Sequence, residues 1–421
     1  MLDIKFIREH KDIIAAGAKK KHIDVDLDAL IVADDKRRAL QQSLDEKRAA
    51  QNAASNTIAS AAPAERGKLI ADMQKIKEDS KQEEEQLKKV METWRGLMVR
   101  VPNVPDMSVP EGDSDADNQE VRTWGDIPKF TFEPKSHSEL MLLNDMADFD
   151  RGTKVAGFRG YFLKNDGARL VWALERFVID HFATKDFAPM IVPSMVRREP
   201  FMGTGYLPQS EEDLYKTQDG DYLAGTAEVA TMGYYMDEVV EAKDLPIKFF
   251  AFSPCFRREA GSHGKDTKGV FRIHEFQKFE QVVLCEASHE TSVKLHEEIT
   301  TNSEELLQKL ELPYRVVVNC GGDLGLGQVK KYDIEAWMPS EQRYRETHSS
   351  SYFHDFQTRR LNIRYRDNGT LKFVHSLNNT ALATPRILCQ IVENYQQADG
   401  SIHIPEALRT YMAKDVIKQK Q

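Results

Sequence analysis

The sequence predicts an α+β protein in which an N-terminal antiparallel helical hairpin precedes a domain built on an antiparallel β-sheet with flanking helices. Three observations predict this fold class. Residues from about 27 to 100 are rich in Ala, Lys, Glu, Gln and Leu and almost free of Gly. Residues 101–120 contain three Pro and many acidic and small residues, which is typical of a linker. Beyond them, short β-like runs alternate with helical ones too irregularly for a doubly wound parallel sheet.

The hairpin is predicted from a repeat of three and four residues that runs from Leu30 to Ile58 and again from Leu69 to Leu97. A period of 3.5 residues marks the seam of a coiled coil. Ala62-Pro63 and Gly67 separate the two runs, so an antiparallel pair is predicted, with arms of roughly 45–50 Å. The seam includes the polar residues Arg37, Lys47, Gln51, Ser80 and Glu83.

The hairpin also differs from the rest of the chain in charge. Residues 33–100 carry 14 Lys or Arg against 12 Asp or Glu, whereas the whole chain has a net charge of −9. Two interpretations remain open from the residues: a solvated helix face, or an arm that contacts a polyanion.

The predicted domains are an N-terminal domain at 1–102 with the hairpin at about 27–100, a linker at 103–118, and a second domain at 119–421. Strands of the second domain are predicted from the runs DFAPMIVP, PIKFFAFSP, QVVLCE, YRVVVN and KYDIEAW.

Composition excludes several classes of protein. No segment approaches the ~20 apolar residues of a membrane span, and MLDIKFIREH lacks the apolar core of a secretory signal. The four cysteines form no C-x-x-C pair, so neither a disulfide framework nor a paired-cysteine zinc site is expected. These features predict a cytoplasmic protein with no membrane partner.

The common phosphate-binding and nucleophile motifs are absent, including the P-loop, G-x-G-x-x-G, H-E-x-x-H and G-x-S-x-G. The stretch FRREAGSHGKDTKGVFRIHEFQKFE (256–280) is a candidate anion site instead. If VFRIHEFQKFE is a return strand, one face carries Arg272, His274, Phe276, Lys278 and Glu280. An aromatic ring beside arginines suits adenine and phosphate, but an ordinary charged hairpin explains the pattern as well.

The same stretch resembles motif 2 of class II aminoacyl-tRNA synthetases, in the form found in the seryl-tRNA synthetase family. Four further blocks are similar to that family in order along the chain. They are the N-terminal segment with its hairpin, a motif 1 segment at about 166–196, the Thr-x-Glu loop in LAGTAEVATMGYYMDE, and a motif 3 segment at about 374–396. With motif 2 at about 250–280, the resemblance covers the whole chain.

The resemblance implies a serine–tRNA ligase that uses ATP and Mg²⁺, forms seryl-adenylate, and charges serine tRNA and, where present, selenocysteine tRNA. It implies a homodimer through motif 1, a hairpin on the long variable arm of tRNA, and a motif 2 loop on the acceptor end, with Lys265 and Lys268 as candidates.

Residue roles follow from the same resemblance. The implied catalytic residues are Arg257, Arg386 and Glu346, with Arg272 in support. The implied ATP site comprises Arg257, Arg258, Glu259, Phe276, Glu346, Thr347, His348, Ser349 and Arg386, although Arg258 is expected to point away from the face of Arg257. The implied serine site comprises Thr226, Ala227, Glu228, Arg257, Glu280, Asn378 and Thr380. Glu346 and Ser349 are the implied Mg²⁺ ligands through ATP.

The sequence departs from the family pattern after Glu346, where His348 replaces a Ser and Tyr352 an Asn. The cysteines do not fall at the zinc-ligand positions of the metal-dependent relatives, so no zinc is expected. An alternative function remains: a paralogue that activates serine for a non-tRNA acceptor, or a duplicate with a resistance or biosynthetic role. A coiled-coil scaffold with a degenerate domain is disfavoured because Arg257, Phe276, Glu346 and Arg386 are all present.

Overall fold

A computed structural model of the chain describes residues 1–60, 62–261, 264 and 266–418. These residues separate into two compact units. The first comprises Met1–Lys19 and Ile23–Pro102, and the second comprises Lys20–His22 and the chain from Asn103 onward. Among the described residues, no helix combines the length and the apolar character that a bilayer crossing requires.

The first unit is helical. Its helices are α1 (Ile4–Glu9), α2 (Lys11–Lys20), α3 (Leu27–Ser60) and α4 (Pro63–Met98). Helices α3 and α4 form the predicted antiparallel hairpin, each about 50 Å long at ~1.5 Å per residue. Pro63 occupies the first turn of α4, where its missing N–H costs no helical hydrogen bond.

Polar residues of the predicted seam pair across the hairpin. Lys47 Nζ lies 3.0 Å from Glu83 Oε1, and Gln51 Nε2 donates to Ser80 Oγ at 3.2 Å. The guanidinium of Arg37 lies over the Trp94 ring, 5.0 Å from its centroid. Apolar seam residues such as Leu30 and Leu44 are buried. The hairpin and its seam are therefore confirmed.

The second unit is built on one large sheet. Its strands are β1 (Gln119–Trp124), β2 (Ala188–Ile191), β3 (Ile247–Phe256), β4 (Glu275–Cys285), β5 (Tyr314–Val318), β6 (Lys330–Met338), β7 (Arg343–His354) and β8 (His375–Ala383). The spatial order is β1-β5-β6-β7-β8-β4-β3-β2. Neighbouring strands are antiparallel except for β2 and β3. The α+β prediction is confirmed.

The helices of the second unit flank this sheet. They are α5 (His137–Leu143), α6 (Phe149–Ala156), α7 (Asp166–Phe182), α8 (Arg198–Thr204), α9 (Ala227–Gly233), α10 (His289–Lys309), α11 (Phe356–Leu361), α12 (Thr384–Asn394) and α13 (Glu406–Met412). Short strands complete the unit at Ala147–Asp148, Phe162–Leu163, Met195–Val196, Tyr215–Lys216, Tyr222–Leu223, Val239–Glu241, Arg364–Asp367, Thr370–Phe373, Ile402–His403 and Val416–Ile417.

Helix α10 covers one face of the central strands. Gln281 Nε2 on β4 donates to the carbonyl of Ile299 at 2.9 Å, and Asn379 Nδ2 on β8 donates to the same oxygen at 2.5 Å. Because side chains alternate along a strand, Glu280 and Thr380 point to the opposite face. That opposite face carries the candidate site.

Two β-bulges adjust which residues reach this face. The pairing of β6 with β7 skips Thr347, because Ile334 lies opposite His348 and Glu335 opposite Glu346. The pairing of β4 with β8 skips Ala381 in the same way. A bulge inserts one residue and reverses the alternation beyond it.

All five predicted strand runs are strands, whereas β1, β7 and β8 were not predicted. The return strand of the motif 2 stretch begins at Glu275 rather than Val270. Residues Val270, Phe271 and Ile273 are buried, and consecutive apolar side chains that turn inward do not fit a strand alternating between two faces.

The segment predicted as a linker has no regular element except a short turn at Asp115–Asp117. At its start, Asn103 Nδ2 donates to the carbonyls of Gly327 at 3.0 Å and Phe353 at 2.7 Å. The segment therefore begins as an ordered part of the second unit.

Candidate active site

The sheet face opposite α10 forms the floor of a cavity of about 280 Å³. Strands β4, β7 and β8 supply the floor, and the chain after β3 and the first turns of α9 and α12 supply parts of the wall. Residues implied by the resemblance line it together: Thr226, Glu228, Arg257, Glu259, Arg272, Phe276, Glu280, Glu346, Thr347, Ser349, Asn378, Thr380 and Arg386. Residues up to 160 positions apart in sequence thus share one cavity.

Arg257 lies directly after β3 and is held against the wall. Its Nε and Nη2 each donate to the carbonyl of Gly225 at 3.3 Å. Its guanidinium lies 5.5 Å from the centroid of the Phe276 ring on β4. A cation and an aromatic ring therefore stand side by side in the cavity, as a nucleotide site requires.

Arg386 lies in the first turn of α12 and pairs with Glu346 on β7. Arg386 Nη1 lies 2.9 Å from Glu346 Oε1 and donates to the Glu346 carbonyl at 3.0 Å. Partial burial alone would raise the pKa of Glu346, but the charges of Arg386, Lys331 and Arg257 outweigh it and lower that pKa to about 2. Glu346 is therefore ionised at neutral pH.

A second group of carboxylates lies farther along the floor. Glu280 pairs with Lys278 two residues before it, and both side chains are buried. Thr226, the N-cap of α9, donates from Oγ1 to Glu280 Oε1 at 3.0 Å. Glu280 Oε2 is buried and has no hydrogen-bond partner among the residues that the structure describes. This end of the cavity therefore holds a buried carboxylate oxygen that lacks a donor among the described residues.

Glu228 is the other carboxylate at this end. Burial raises the pKa of Glu228 to about 7, and the nearby Glu280 charge adds to the rise. Gln357 Nε2 donates to Glu228 Oε1 at 2.7 Å, and the Tyr206 hydroxyl donates to Oε2 at 3.3 Å. A cationic ligand beside Glu228 would therefore stabilise the ionised form of this buried carboxyl group.

Glu259 takes part in a charged network at the nucleotide end. Arg272 Nη1 donates to Glu259 Oε2 at 2.6 Å, and Arg272 Nε donates to Asp266 at 3.3 Å. Burial would raise the pKa of Glu259, but the hydrogen bond and charge of Arg272 prevail and lower it. The network joins Arg272 to both Glu259 and Asp266.

Some implied residues lie outside the cavity lining. Arg258 is exposed, Ala227 is fully buried in α9, and His348 faces away from the cavity beside the bulge. Burial lowers the pKa of His348 to about 4, so it is neutral at pH 7. Lys268 is exposed, and Lys265 lies outside the described residues.

The structure also adds lining residues that the sequence reasoning did not assign. Tyr206 and Phe271 line the cavity, and Gln357 reaches Glu228 from behind it. The guanidiniums of Arg345 and Arg386 lie 4.2 Å and 5.3 Å from the centroid of the Phe271 ring. Lys278 also lines the cavity. The sequence could indicate Lys278, because it alternates with Phe276 and Glu280 along the strand, whereas Tyr206, Phe271 and Gln357 follow no such pattern.

Known proteins match both units of the chain. Residues 1–105 match the family described as Seryl-tRNA synthetase N-terminal domain, and residues 214–395 match the tRNA synthetase class II core domain (G, H, P, S and T). A serine–tRNA ligase of Deinococcus radiodurans is 44% identical over 422 residues, covering 100% of this chain and 99% of the relative.

Solved structures agree. The seryl-tRNA synthetase from Pyrococcus horikoshii, complexed with ATP, has a TM-score of 0.92 and 36% identity over 100% of both chains. The cytoplasmic serine–tRNA ligase from Naegleria fowleri, in complex with AMP, has a TM-score of 0.88 and 33% identity over 100% of this chain and 99% of that one. The resemblance inferred from the five sequence blocks is confirmed, and the chain belongs to the seryl-tRNA synthetase family.

Proposed function

We propose that this cavity joins ATP to L-serine and then passes the seryl group to the 3′ end of serine tRNA. The observation that carries the proposal is that one cavity is lined by arginines and, farther along its floor, by two buried carboxyl groups. Arg257 and Arg386 stand where phosphates can bind, and Glu228 and Glu280 stand where an ammonium group and a hydroxyl can bind. The names of the relatives, and the ATP bound to the Pyrococcus enzyme, support it.

In the first step, a carboxylate oxygen of serine attacks the α-phosphorus of ATP. The new bond gives seryl-adenylate, and the bond to the bridging oxygen breaks to release pyrophosphate. Arg257 neutralises the α-phosphate and the serine carboxylate, and Arg386 binds the γ-phosphate. Fixed cations placed where charge develops suffice for such a reaction, so no covalent nucleophile is needed.

In the second step, a hydroxyl of the terminal ribose attacks the carbonyl carbon of the adenylate. An ester forms and AMP leaves. Charging of selenocysteine tRNA, where that tRNA is present, would follow the same route.

The residues present fit a Mg²⁺ ion carried by ATP. Glu346 is ionised, its side chain is 43% exposed, and the Ser349 hydroxyl lines the same cavity. Mg²⁺ prefers such oxygen ligands together with phosphates. Glu346 and Ser349 would hold the ion, which would supply positive charge to the phosphates.

Recognition of serine rests on the unpartnered oxygen of Glu280 and on the hydroxyl of Thr380. Lys278 and Thr226 occupy one oxygen of Glu280, which leaves Oε2 for the hydroxyl of serine. Alanine would bury this oxygen without a partner, and a site built for a hydroxyl rejects such an analogue strongly. Glu228 would accept the ammonium group, with Asn378 at the edge of the subsite.

The partners follow from surfaces of each unit. The hairpin of the first unit would contact the long variable arm of tRNA, and Lys268 on the motif 2 loop would contact the acceptor end. The motif 1 segment exposes apolar residues, with Trp172 at 65%, Ile179 at 48% and Ile191 at 86% exposure. Such a cluster is typical of a protein interface, and a second copy would cover it in a cytoplasmic homodimer.

The test is ATP–pyrophosphate exchange with each of the twenty amino acids, followed by charging of serine tRNA. We expect exchange with serine, its loss in Arg257→Ala, and wild-type exchange in Arg366→Ala, an exposed arginine far from the cavity lining. Removal of residues 30–97 should spare exchange and abolish charging. Absence of serine-dependent exchange would refute the proposal, and exchange without charging by the full chain would indicate a non-tRNA acceptor.

A further inference from the structure

Lys21 is a buried lysine of the second unit whose side chain donates hydrogen bonds to a single loop. It belongs to the short segment Lys20–His22, which packs within that unit, and it is only 3% exposed. Its Nζ donates to the carbonyls of Gly325 at 3.0 Å, Leu326 at 3.1 Å and Gln328 at 2.5 Å. Burial lowers the pKa of Lys21 to about 7. In the protonated form, all three N–H donors are used on this one turn of chain.

This loop, residues 325–328, forms part of the wall of the active-site cavity. Within the loop, Gly325 N donates to Gln328 Oε1 at 2.6 Å. Gln328 Nε2 donates in turn to Ser351 Oγ on β7 at 2.8 Å. The loop is therefore joined to the cavity floor through Gln328, to Asn103 through the carbonyls of Leu326 and Gly327, and to Lys21.

The loop lies at the amino-acid end of the cavity. A Cβ on Gly327 would come within 2.6 Å of Phe356 and 3.3 Å of Phe353, so the backbone packs closely against these two rings. Phe356 directly precedes Gln357, whose amide hydrogen-bonds Glu228. Arg386 and Glu346, by contrast, lie beside Phe271 at the other end.

The chemistry explains why a lysine is present. The carbonyls of Gly325, Leu326 and Gln328 converge on one point, and an ammonium supplies three donors from one atom. With an apolar side chain at position 21, the Gln328 carbonyl would lose its hydrogen bond from Lys21, whereas the Gly325 carbonyl keeps the Gln328 N–H at 3.2 Å and the Leu326 carbonyl keeps the Asn103 N–H at 2.9 Å. The turn would then move to give the Gln328 carbonyl another donor, and this movement would change the cavity wall.

We propose that Lys21 is a positioning residue for serine binding: it fixes the loop 325–328 in the conformation that closes the amino-acid end of the cavity. This inference rests on the proposed function. Lys21 does not line the cavity, so it would act through the loop and not on the reacting atoms.

The test compares Lys21→Met with Lys20→Met in full-length protein. Lys20 is a matched control, because it is the preceding lysine and donates to the Val109 carbonyl at 2.5 Å rather than to the loop. In pyrophosphate exchange, we expect Lys21→Met to raise the KM for serine about tenfold or more, with the KM for ATP changed less than about twofold. Lys20→Met should leave both values near wild type. Lys21→Arg should recover only part of the serine affinity, because a planar fork cannot reach three converging carbonyls.

A second variant tests the same inference in case Lys21→Met does not fold. Gln328→Ala loosens the same loop from the side of β7 without removing a buried cation, and the same selective rise in the serine KM is expected. Equal rises for serine and ATP, or a wild-type serine KM in Lys21→Met or in Gln328→Ala, would overturn the inference. If the wild-type chain exchanges pyrophosphate with serine but the variants give one of these contrary results, only this inference fails. If the wild type shows no serine-dependent exchange, the proposed function fails.

Discussion

Replacing Glu228 by Gln should stabilise the protein at high pH while it weakens serine binding. Burial raises the pKa of this carboxyl from 4.5 to about 7. Below pH 4.5 the group is protonated in both the folded and the unfolded chain, so it adds no pH-dependent term. Between pH 4.5 and 7 the unfolded chain loses its proton first, and the stability of the folded state falls as the pH rises.

The magnitude follows from that pKa difference. Each pKa unit corresponds to about 1.4 kcal/mol, so above pH 7 the ionised Glu228 costs the folded state about 3 kcal/mol. In the Gln variant the amide oxygen can still accept from Gln357, and the amide NH2 can donate to the Tyr206 hydroxyl oxygen. We therefore expect Glu228→Gln to raise the free energy of unfolding by about 2–4 kcal/mol at pH 8.5 and by much less at pH 5.

Urea unfolding of the wild type and the variant at the two pH values measures the effect. Glu238→Gln, which changes an exposed carboxylate, is the control and should show no such pH dependence. A stability difference between wild type and Glu228→Gln that is the same at pH 5 and pH 8.5 would refute the reasoning, because the gain must come from removing a buried ionisation.

Three further outcomes are expected. Arg386→Ala should lower serine-dependent pyrophosphate exchange by about 10²–10³-fold, and Arg386→Lys should recover little of it, because a point charge does not replace a planar fork. Phe276→Ala should raise the KM for ATP roughly tenfold in the same assay, since stacking on a base is worth about 1–3 kcal/mol, whereas Phe276→Tyr should leave it near wild type. Trp172→Asp should shift the native mass toward the monomer in light scattering, and Val155→Asp, at an equally exposed apolar residue, should not; an unchanged mass in Trp172→Asp would place the interface elsewhere.

The hairpin was predictable because its signal is local. A repeat from Leu30 to Ile58 is written in neighbouring residues, and it needs no knowledge of distant contacts. Strands β3 to β6 were predictable because apolar runs mark buried strands. Strands β7 and β8 were missed because their cavity face is polar, with Glu346, Ser349 and Thr380 where apolar residues would signal a strand.

The candidate site was accessible only through the resemblance to a known family. Arg257, Glu346 and Arg386 are far apart in sequence, and no spacing rule brings them together. The bulge at Thr347 reverses the alternation, so parity along β7 could not show that Glu346 and Ser349 share a face. Tyr206 and Gln357 carried no pattern, because a hydrogen bond to Glu228 depends on the tertiary fold alone.

The polar pairs across the hairpin determine how α3 is aligned along α4. If α4 slipped by one heptad, Lys47 would face Ile76 or Val90 instead of Glu83, which would leave a charge against an apolar side chain. The pairing therefore favours one register of α3 against α4. An insertion in one helix of the hairpin would therefore need a matching insertion in the other helix to keep these pairs aligned.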